Sequence, residues 1–257
     1  MENSIFSLKN KVIVITGSSK GIGKAIAQEC ANFGAKVVIS SRNLDACQET
    51  AKQINQSQEN EVAIPIPANI SNTADLEHLV NQSNHMFGKI DVLICNAASN
   101  PYMGGMEGMP LEMFDKIMSN NVRSNHILAN LVLPQMKERK NGSIIIVSSI
   151  GGLRGSSILG TYNMSKAADI AMVKNIAVEF GPFNIRANAI APGLIKTDMA
   201  KALWNNPKIL STVTSSNPLR RIGEPLEIAG VAVLLASNAG GYINGETIVV
   251  DGGSTVV

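Results

Sequence analysis

The stretch TYNMSKA at residues 161–167 places a tyrosine and a lysine four positions apart. On a helix, Tyr162 and Lys166 would share one face, one turn apart. A free phenol is a poor base at neutral pH, but a neighbouring ammonium group favours the phenolate. The pair could therefore transfer a proton to or from a bound substrate. An ordinary pair on a helix surface is the alternative, and the rest of the chain has to decide between the two.

The elements that position this pair alternate between short β-branched runs and longer helical stretches. This alternation is typical of βαβ units with a mostly parallel sheet. The predicted strands cover residues 11–16, 36–40, 62–67, 91–95, 143–149, 185–190 and 246–251. The predicted helices include residues 22–33, 73–87, 111–137, 162–180 and 224–237.

Proline and glycine residues mark several boundaries of these elements. The predicted strand 62–67 contains two prolines, which cannot donate to a ladder, so we expect it at a sheet edge. Gly88 is expected to end one helix, and Gly181 the helix that contains Tyr162. Residues 197–222 fit neither element and are expected to form an irregular lid or binding loop. Without a visible linker, residues 1–257 are predicted to form a single domain, with a substrate loop near 197–217.

The sequence TGSSKGIG at residues 16–23 directly follows the first predicted strand and opens a helix. Its three glycines permit a tight turn and let the backbone approach a pyrophosphate at the helix N-terminus. A plain strand-to-helix connection is the alternative. The position at the start of a βαβ unit favours a dinucleotide-binding site.

The end of the second predicted strand indicates which dinucleotide would bind. An acidic residue there would accept hydrogen bonds from the ribose of NAD, whereas an arginine suits the 2′-phosphate of NADP. Ser41 occupies the position of the acid and Arg42 follows it, while Lys20 adds a cation in the glycine-rich turn. The sequence therefore predicts NADP(H) as the cofactor. Asp45 is expected in the first turn of the next helix.

Composition excludes several classes of function. Charged residues make up 16% of the chain and the formal net charge is +2, without a basic cluster of the kind that binds nucleic acid. The apolar runs at 144–147 and 231–236 are too short to span a bilayer, so no membrane association is predicted. Three cysteines and three histidines form no metal-ligand pattern, and no metal is predicted. With no leader visible at residues 1–10, we expect a cytoplasmic protein with reduced thiols.

Further motifs follow in a fixed order along the chain. They are NAA (96–98), NNV (120–122), SSI (148–150), YNMSK (162–166), NAIAPG (188–193) with Thr197, and GETIVVDGG (245–253). With the glycine-rich turn, and over essentially its full length, the chain resembles the short-chain dehydrogenase/reductase family. The resemblance implies a Rossmann-type α/β fold with a doubly wound, mostly parallel seven-stranded sheet and helices on both faces. It also implies a homotetramer or a dimer, and residues 242–253 resemble the region that packs between subunits.

The resemblance implies four catalytic residues, Asn121, Ser149, Tyr162 and Lys166. Ser149 is preferred over Ser148 because it precedes Tyr162 by thirteen positions, the usual family separation. In the family mechanism, the tyrosine protonates the carbonyl oxygen as hydride arrives from NADPH, and the serine hydrogen-bonds the same oxygen. The lysine holds the nicotinamide ribose, and the asparagine fixes a water in the proton path.

The cofactor-binding residues that the resemblance implies lie in the glycine-rich turn, at strand ends and on the catalytic helix. They are Gly17, Ser19, Lys20, Gly21, Ile22, Gly23, Ser41, Arg42, Asn69, Ile70, Asn96, Ala97, Tyr162, Lys166, Pro192, Gly193, Ile195 and Thr197. Two departures from the family pattern are visible. The common NNAG is CNAA at residues 95–98, and the usual aspartate after the third strand is Asn69. Since an amide oxygen can accept the same bond from the adenine amino group, binding should survive.

Three segments are expected to form the substrate pocket, namely residues 97–110, 150–160 and 197–217. They contain Tyr102 and Met103 in the first and Trp204 in the last, with further methionines in both. Methionine adapts to irregular apolar ligands, so a hydrophobic ketone or aldehyde is the predicted small-molecule substrate. Packing of these loops onto the body of the protein is an equally good interpretation of the same residues.

Within the family, the motifs look most like NADP-dependent carbonyl and retinal reductases of the dehydrogenase/reductase member 4 type. They predict a reductase that interconverts a carbonyl and an alcohol. A 3-oxoacyl-[acyl-carrier-protein] reductase is the first alternative; Lys140 fits one position for carrier contact, but Pro182 and Phe183 occupy the other. A non-catalytic NADP(H)-binding sensor or scaffold is an alternative of another class. Such a protein typically loses the tyrosine or the lysine, and both are present.

Overall fold

The computed structural model describes residues 4–257, so part of the N-terminal segment examined for a leader lies outside the described residues. Seven strands form one sheet in the order β3-β2-β1-β4-β5-β6-β7, and every neighbouring pair is parallel. The strands are β1 Val12–Thr16, β2 Lys36–Ser40, β3 Ala63–Pro65, β4 Val92–Cys95, β5 Gly142–Val147, β6 Ile185–Pro192 and β7 Thr247–Val250. This is the predicted doubly wound, Rossmann-type α/β fold.

Helices connect the strands and cover both faces of the sheet. They are α1 Gly21–Asn32, α2 Leu44–Gln56, α3 Thr73–Phe87, α4 Leu111–Met118, α5 Ser124–Arg139, α6 Gly160–Phe180, α7 Lys201–Trp204, α8 Pro207–Ser216 and α9 Pro225–Ala236. Short 3₁₀ turns at Ile150–Gly152, Gly181–Phe183 and Asn238–Gly240 join the longer elements.

Two apolar clusters fill the space between the sheet and the helices. Because side chains alternate along a strand, Ile13 and Ile15 of β1 face α1, α2 and α9, whereas Val14 faces α3, α5 and α6. The central strands β1, β4 and β5 are buried on both faces, which explains their continuous β-branched and aliphatic runs. The sheet is therefore rigid where its carboxyl ends present residues to a ligand.

The boundary predictions based on proline and glycine are confirmed. The proline-containing strand β3 lies at a sheet edge. Helix α3 ends at Gly88, which takes the left-handed conformation with φ 78°. Helix α6, which contains Tyr162, ends at Phe180 directly before Gly181. Asp45 lies in the first turn of α2, as expected.

The predicted helix 111–137 is interrupted by a π-helical turn. Helix α4 passes into the π turn Ser119–Arg123 and then into α5 without leaving helical backbone angles. The backbone N–H of Ser124 bonds to the carbonyl of Ser119, five residues back. Such π turns are frequent at functional sites, and this one contains Asn121.

The prediction that residues 197–222 are irregular is wrong over half of that range. Helices α7 and α8 occupy Lys201–Trp204 and Pro207–Ser216. The Asn206 side chain accepts from the backbone N–H of Lys208 at 3.0 Å, and Pro207 takes the first helical position. Cap and proline together begin a helix whose Ser- and Thr-rich sequence has low helical propensity.

Among the described residues, no helix combines the length and the apolar character that crossing a membrane requires.

Candidate active site

The glycine-rich turn between β1 and α1 forms a compact cradle. Asn96, directly after β4, donates from Nδ2 to the carbonyl oxygens of Thr16 at 2.9 Å and Gly17 at 3.1 Å. The Thr16 hydroxyl in turn accepts from the backbone N–H groups of Asn96 and Ala97. Gly23 packs so tightly that a Cβ would overlap the carbonyl oxygen of Gly17. The turn is thus fixed against β4, at the point where the strand order reverses.

This cradle fits the pyrophosphate of a dinucleotide. Helix α1 starts at Gly21, its N-cap residue Lys20 makes no side-chain capping bond, and its first turn contains no acidic residue. The first N–H groups of the helix therefore keep their capacity to bind an anion. Ser19 and Ile22, which the sequence also assigned to the cofactor site, lie in the same turn and at the start of α1.

Two of the predicted phosphate-binding residues border this cradle. Arg42 is exposed just beyond β2, and within residues 4–257 its guanidinium forms no ion pair. Ser41 lies beside it, with its Oγ 3.2 Å from the Cys47 sulfur. The third predicted residue, Lys20, is exposed and pairs with Asp198 at 3.5 Å. The cation in the glycine-rich turn is thus connected to the segment after β6.

Asn69 differs from its expected role in one respect. Its Oδ1, which was expected to accept from the adenine amino group, already accepts from the backbone N–H and hydroxyl of Ser71 at 3.2 and 2.9 Å. Adenine would have to share this oxygen or displace a local bond. Ile70 follows it in the same partly buried turn.

The end of β6 carries the last group of predicted cofactor residues. Pro192 ends the strand, and Gly193 donates to the carbonyl of Val250 on β7 at 2.9 Å. Ile195 pairs with Gly223 in an isolated bridge. A Cβ on Gly21 would lie 3.4 Å from the side chain of Thr197. The segment after β6 therefore reaches over to the glycine-rich turn.

The two serines that follow β5 have different surroundings. Ser148 is buried, and its hydroxyl donates to the carbonyl of Lys166 at 2.8 Å. Ser149 is partly exposed, and its Oγ accepts from the N–H of Gly151 at 3.0 Å, which leaves its own proton available. Gly152 lets this turn approach α6, since a Cβ there would lie 2.7 Å from the carbonyl carbon of Lys166. Ser148 thus has a packing role, whereas the Ser149 hydroxyl can still donate to a ligand.

The Lys166 ammonium is enclosed by the fold. Its Nζ donates to the carbonyl of Val147 and to Asp169 Oδ2, both at 3.0 Å, and lies 5.9 Å from the Tyr162 ring centroid. Burial lowers the pKa of Lys166, but the Asp169 carboxylate, with smaller contributions from Tyr162 and Cys95, opposes burial and leaves that pKa above its ordinary value. Lys166 is therefore a fixed positive charge beside the phenol of Tyr162, which is partly exposed.

Asn121 lies in the π turn and is fully buried. Its Oδ1 accepts from the N–H of Ser99 at 2.8 Å, and its Nδ2 donates to the carbonyl of Ser99 and to Ser165 Oγ, both at 3.0 Å. The side chain thus ties the loop after β4 to α6. Its backbone carbonyl accepts from Asn125 Nδ2 at 2.7 Å.

A narrow cleft opens beside Tyr162, between the loop 97–110 and the start of α6. The aliphatic and sulfur-containing side chains that line it are those of Met106, Met109, Ile117, Ile158 and Leu159, and the hydroxyl-bearing side chains of Tyr102, Thr161 and Tyr162 with backbone at three glycines complete the lining. Its free space is too narrow for a water molecule. The loop is held over α6 by a bridge between Gly104 and Leu159.

Two of the three predicted pocket residues do not line this cleft. Met103 is 54% exposed and does not line the cleft, although its neighbour Tyr102 does. Trp204 is likewise absent from the cleft, because its Nε1 donates to the carbonyl of Thr197 at 2.8 Å and holds α7 against the segment after β6. Their assignment to the substrate pocket stays a prediction.

Several residues that sequence reasoning missed support the site. They are Ser18, Ser99, Asn125, Ser165 and Asp169. The three of them that lie on helices could have been found by their spacing. Asn125 follows Asn121 by four residues, Ser165 follows Tyr162 by three, and Asp169 follows Lys166 by three. Spacing of this kind is common on exposed helix faces, so burial was needed to separate these residues from surface polar ones.

Comparisons with known proteins agree with this geometry. A family model described as "Enoyl-(Acyl carrier protein) reductase" matches residues 17–255. The chain is 40% identical over 250 residues to "Dehydrogenase/reductase SDR family member 4" of Bos taurus, covering 96% of this chain and 88% of the relative.

Solved structures extend the agreement to the whole fold. A 7α-hydroxysteroid dehydrogenase complexed with NADH and 7-oxo glycochenodeoxycholic acid matches with a TM-score of 0.93 and 34% identity, over 98% of both chains. A gluconate 5-dehydrogenase from Burkholderia cenocepacia, in complex with NADP and tartrate, matches with a TM-score of 0.93 and 26% identity, again over 98% of both chains.

The fold and the site therefore define a nicotinamide-dependent oxidoreductase that acts on CH–OH groups. The chain belongs to the short-chain dehydrogenase/reductase family.

Proposed function

We propose that this protein is an NADPH-dependent reductase that interconverts a hydrophobic ketone or aldehyde and its alcohol. The observation that carries the proposal is the position of Tyr162. This half-buried phenol lies beside a buried ammonium on one side and an apolar cleft on the other. Such an arrangement joins a proton donor to a place where an apolar carbonyl compound can bind.

Each residue of the site has one task in this proposal. When bound, the nicotinamide supplies hydride for reduction and accepts it in oxidation. The Tyr162 phenol donates its proton to the carbonyl oxygen in reduction and takes it back in oxidation. Ser149 donates a hydrogen bond to the same oxygen and stabilises the charge that develops there. Lys166 supplies the positive charge that favours the phenolate, and Asn121 fixes the loop 97–110 and α6 relative to each other.

The preference for NADPH is supported by the charges at the end of β2. Arg42 is exposed there, and the position of an acidic residue is taken by Ser41. A guanidinium binds a 2′-phosphate through charge-assisted hydrogen bonds, whereas the ribose hydroxyl of NADH offers no comparable charge. The structural relatives include complexes with either cofactor, so this chain's own residues carry the argument.

The aliphatic side chains in the cleft support a hydrophobic substrate. Five aliphatic or sulfur-containing side chains and Tyr102 surround the space beside Tyr162. Because that space is too narrow for a water molecule, the part of the loop that lines the cleft, residues 102–109, must move outward when a substrate enters, while Ser99 stays bonded to Asn121. The same loop contains two of the adaptable methionines, which suits ligands of irregular shape.

The test is the rate of NADPH absorbance loss against four substrates, with NADH in parallel. The panel is an aromatic ketone, an α-diketone, a retinal and a 3-oxoacyl thioester. We expect turnover of the apolar ketones with NADPH and little turnover of the thioester. Preference for the thioester would instead assign a 3-oxoacyl-carrier-protein reductase. Tight NADPH binding without turnover of any substrate, in either direction, would assign a non-catalytic sensor.

A further inference from the structure

Asp169 is a buried carboxylate that the mechanism proposed above does not use. Its side chain is completely buried, and that of Lys166 is 2% exposed. The two are three residues apart on α6, and Lys166 Nζ lies 3.0 Å from Asp169 Oδ2. Because a buried charge is costly unless it is paired and hydrogen-bonded, each of these groups depends on the other.

The hydrogen bonds around Asp169 use both of its oxygens. Oδ2 accepts from Lys166, and Oδ1 accepts from Asn125 Nδ2 at 3.0 Å. The second hydrogen of that Asn125 amide is donated to the carbonyl of Asn121 at 2.7 Å. The carboxylate is therefore held between α6 and α5 and connected to the π turn that contains Asn121.

The same hydrogen bonds determine how many N–H groups of Lys166 remain available. An ammonium has three N–H groups, and two of them are donated to Val147 and Asp169. One N–H is left for a bound ligand. Because two of its hydrogen bonds go to fixed acceptors, the ammonium cannot move without breaking buried contacts.

We propose that Asp169 is a positioning residue that keeps the Lys166 ammonium charged and fixed in place, an inference that rests on the proposed role of Lys166 in the reaction. The pair has no net charge, so the fold can bury the lysine completely beside Tyr162. Asn125 orients the carboxylate and couples its position to the π turn.

Other groups around Lys166 agree with this assignment. Among the described residues, the titratable groups that act on Lys166 are Asp169 and Tyr162 on α6 and Cys95 on β4. Burial raises the pKa of the Cys95 thiol, which is therefore neutral at physiological pH. Burial also raises the pKa of Asp169, while the charge of Lys166 opposes that shift. Asp169 is the acidic side chain that can balance the lysine.

The test measures the protonation state of Lys166 directly and requires no turnover. Protein labelled with ¹³C at the lysine Cε is titrated by NMR in the absence of cofactor, and the Lys166 signal is assigned by its loss in Lys166→Arg. In the wild type, we expect this signal to stay at its protonated position up to at least about pH 9.5. In Asp169→Asn, we expect its midpoint to fall by at least ~1 pH unit, because the largest contribution that opposes burial is then removed.

A matched control separates this effect from general destabilisation. Asp91 is also buried, and its Oδ2 lies 3.0 Å from Lys89 Nζ. This pair lies directly before β4, at the end of the sheet opposite the candidate site. Asp91→Asn should leave the Lys166 midpoint unchanged. An equal midpoint in wild type and folded Asp169→Asn would overturn the proposal. If Asp169→Asn does not fold, a wild-type Lys166 that is already neutral below about pH 9 would overturn it.

Binding of NADPH gives a second measurement. Its affinity, measured by nucleotide fluorescence, should fall in Asp169→Asn as pH rises through the new midpoint, while wild type is unaffected over that range. A pH-independent loss of affinity would indicate a merely structural role and contradict the proposal. If the Lys166 midpoint moves as expected but the wild type reduces none of the carbonyl compounds, the proposed function fails and the role of Asp169 stands.

Discussion

At the scale of single residues, Tyr162 is accessible to a substrate and Lys166 is not. Tyr162 is partly exposed, and Lys166 is enclosed and bonded to Val147 and Asp169. A substrate in the cleft can meet the phenol, whereas the ammonium acts through its field and its remaining N–H. The proton that a substrate gains or loses should therefore pass through Tyr162.

Replacing this phenol should remove turnover and keep cofactor binding. We expect Tyr162→Phe to lower kcat by about 10²–10⁴-fold, because a positioned acid or base contributes that much. The measurement is NADPH-dependent reduction of the best substrate, with nucleotide binding measured on the same protein. Tyr242→Phe is the control, since Tyr242 does not line the cleft. Wild-type turnover in Tyr162→Phe would show that the assigned mechanism is wrong.

The cofactor preference depends on a different residue, Arg42. A charge-assisted hydrogen bond contributes about 1.5–3 kcal/mol, so Arg42→Ala should weaken NADPH about ten- to a hundred-fold. NADH should be affected much less, because it lacks the 2′-phosphate. Kd values for both nucleotides can be measured by fluorescence quenching. Arg123→Ala, at an exposed arginine on the π turn, is the matched control. An equal loss for both nucleotides would contradict the specificity argument.

At this scale, family spacing guided the prediction from the sequence, whereas burial had to come from the structure. The thirteen-residue separation selects Ser149, and Ser148 is indeed the serine whose hydroxyl is committed to packing. Asp169 was not predicted, because an acid three residues after a lysine is common on exposed helices. Trp204 and Met103 were assigned to the pocket by residue type alone, which does not specify where a side chain packs.

At the scale of elements, two glycines in helices have opposite roles. Gly23 on α1 has no room for a Cβ, because the carbonyl oxygen of Gly17 and the amide of Asn96 occupy that space. Gly230 in the interior of α9 is exposed and has no neighbour within 4 Å of such a Cβ. The first glycine is required by packing, and the second only adds flexibility to the unfolded chain.

Alanine substitutions at these two positions should therefore change stability in opposite directions. Gly230→Ala should raise the free energy of unfolding by about 0.5–1 kcal/mol, the usual difference in helical propensity. Gly23→Ala should lower it by about 1–3 kcal/mol through overpacking, and should also weaken NADPH binding. Urea unfolding of both variants with wild type provides the measurement. A destabilised Gly230→Ala would mean that α9 has a contact that the described residues do not show.

Element prediction from the sequence was accurate for strands and for capped helices. β-branched runs and glycine or proline boundaries predicted the strands to within a few residues, and the bounds of α3 were predicted at both ends. The π turn could not be predicted, because its extra residue per turn is set by contacts of Asn121 with the loop and α6. Helix α8 was missed because its Ser- and Thr-rich interior outweighed the signals of Asn206 and Pro207.

At the scale of the whole molecule, the strand order follows from general rules on parallel sheets. Right-handed crossovers and a reversal between β1 and β4 bring the glycine-rich turn, Asn96, Ser149 and the end of β6 to the same edge. Alternation of strands and helices predicted βαβ units with a mostly parallel sheet, and the family resemblance implied the doubly wound seven-stranded fold. What it could not predict is the surface that faces other copies of the chain, because apolar residues are common on the surface of single subunits as well.

The exposed surface also bears on whether the chain associates with other copies of itself. Asn244 Nδ2 donates to the carbonyl of Ala177 at 3.2 Å, which holds the segment before β7 against the end of α6. Next to this contact, Val178 is 81% exposed and Tyr242 is fully exposed. Large exposed apolar side chains near one contact suit an interface between subunits. We therefore expect a dimer or tetramer in which both side chains are covered.

Light scattering after size-exclusion chromatography tests this expectation. The wild type should have two or four times the mass of one chain, and the double variant Val178→Lys with Tyr242→Lys should have a lower mass, because buried unpaired ammonium groups oppose association. Met86→Lys, at a 56% exposed methionine on α3, is the control and should keep the wild-type mass. A wild type that elutes with the mass of a single chain would contradict the proposed assembly, whereas unchanged mass in the double variant would place the interface elsewhere on the subunit.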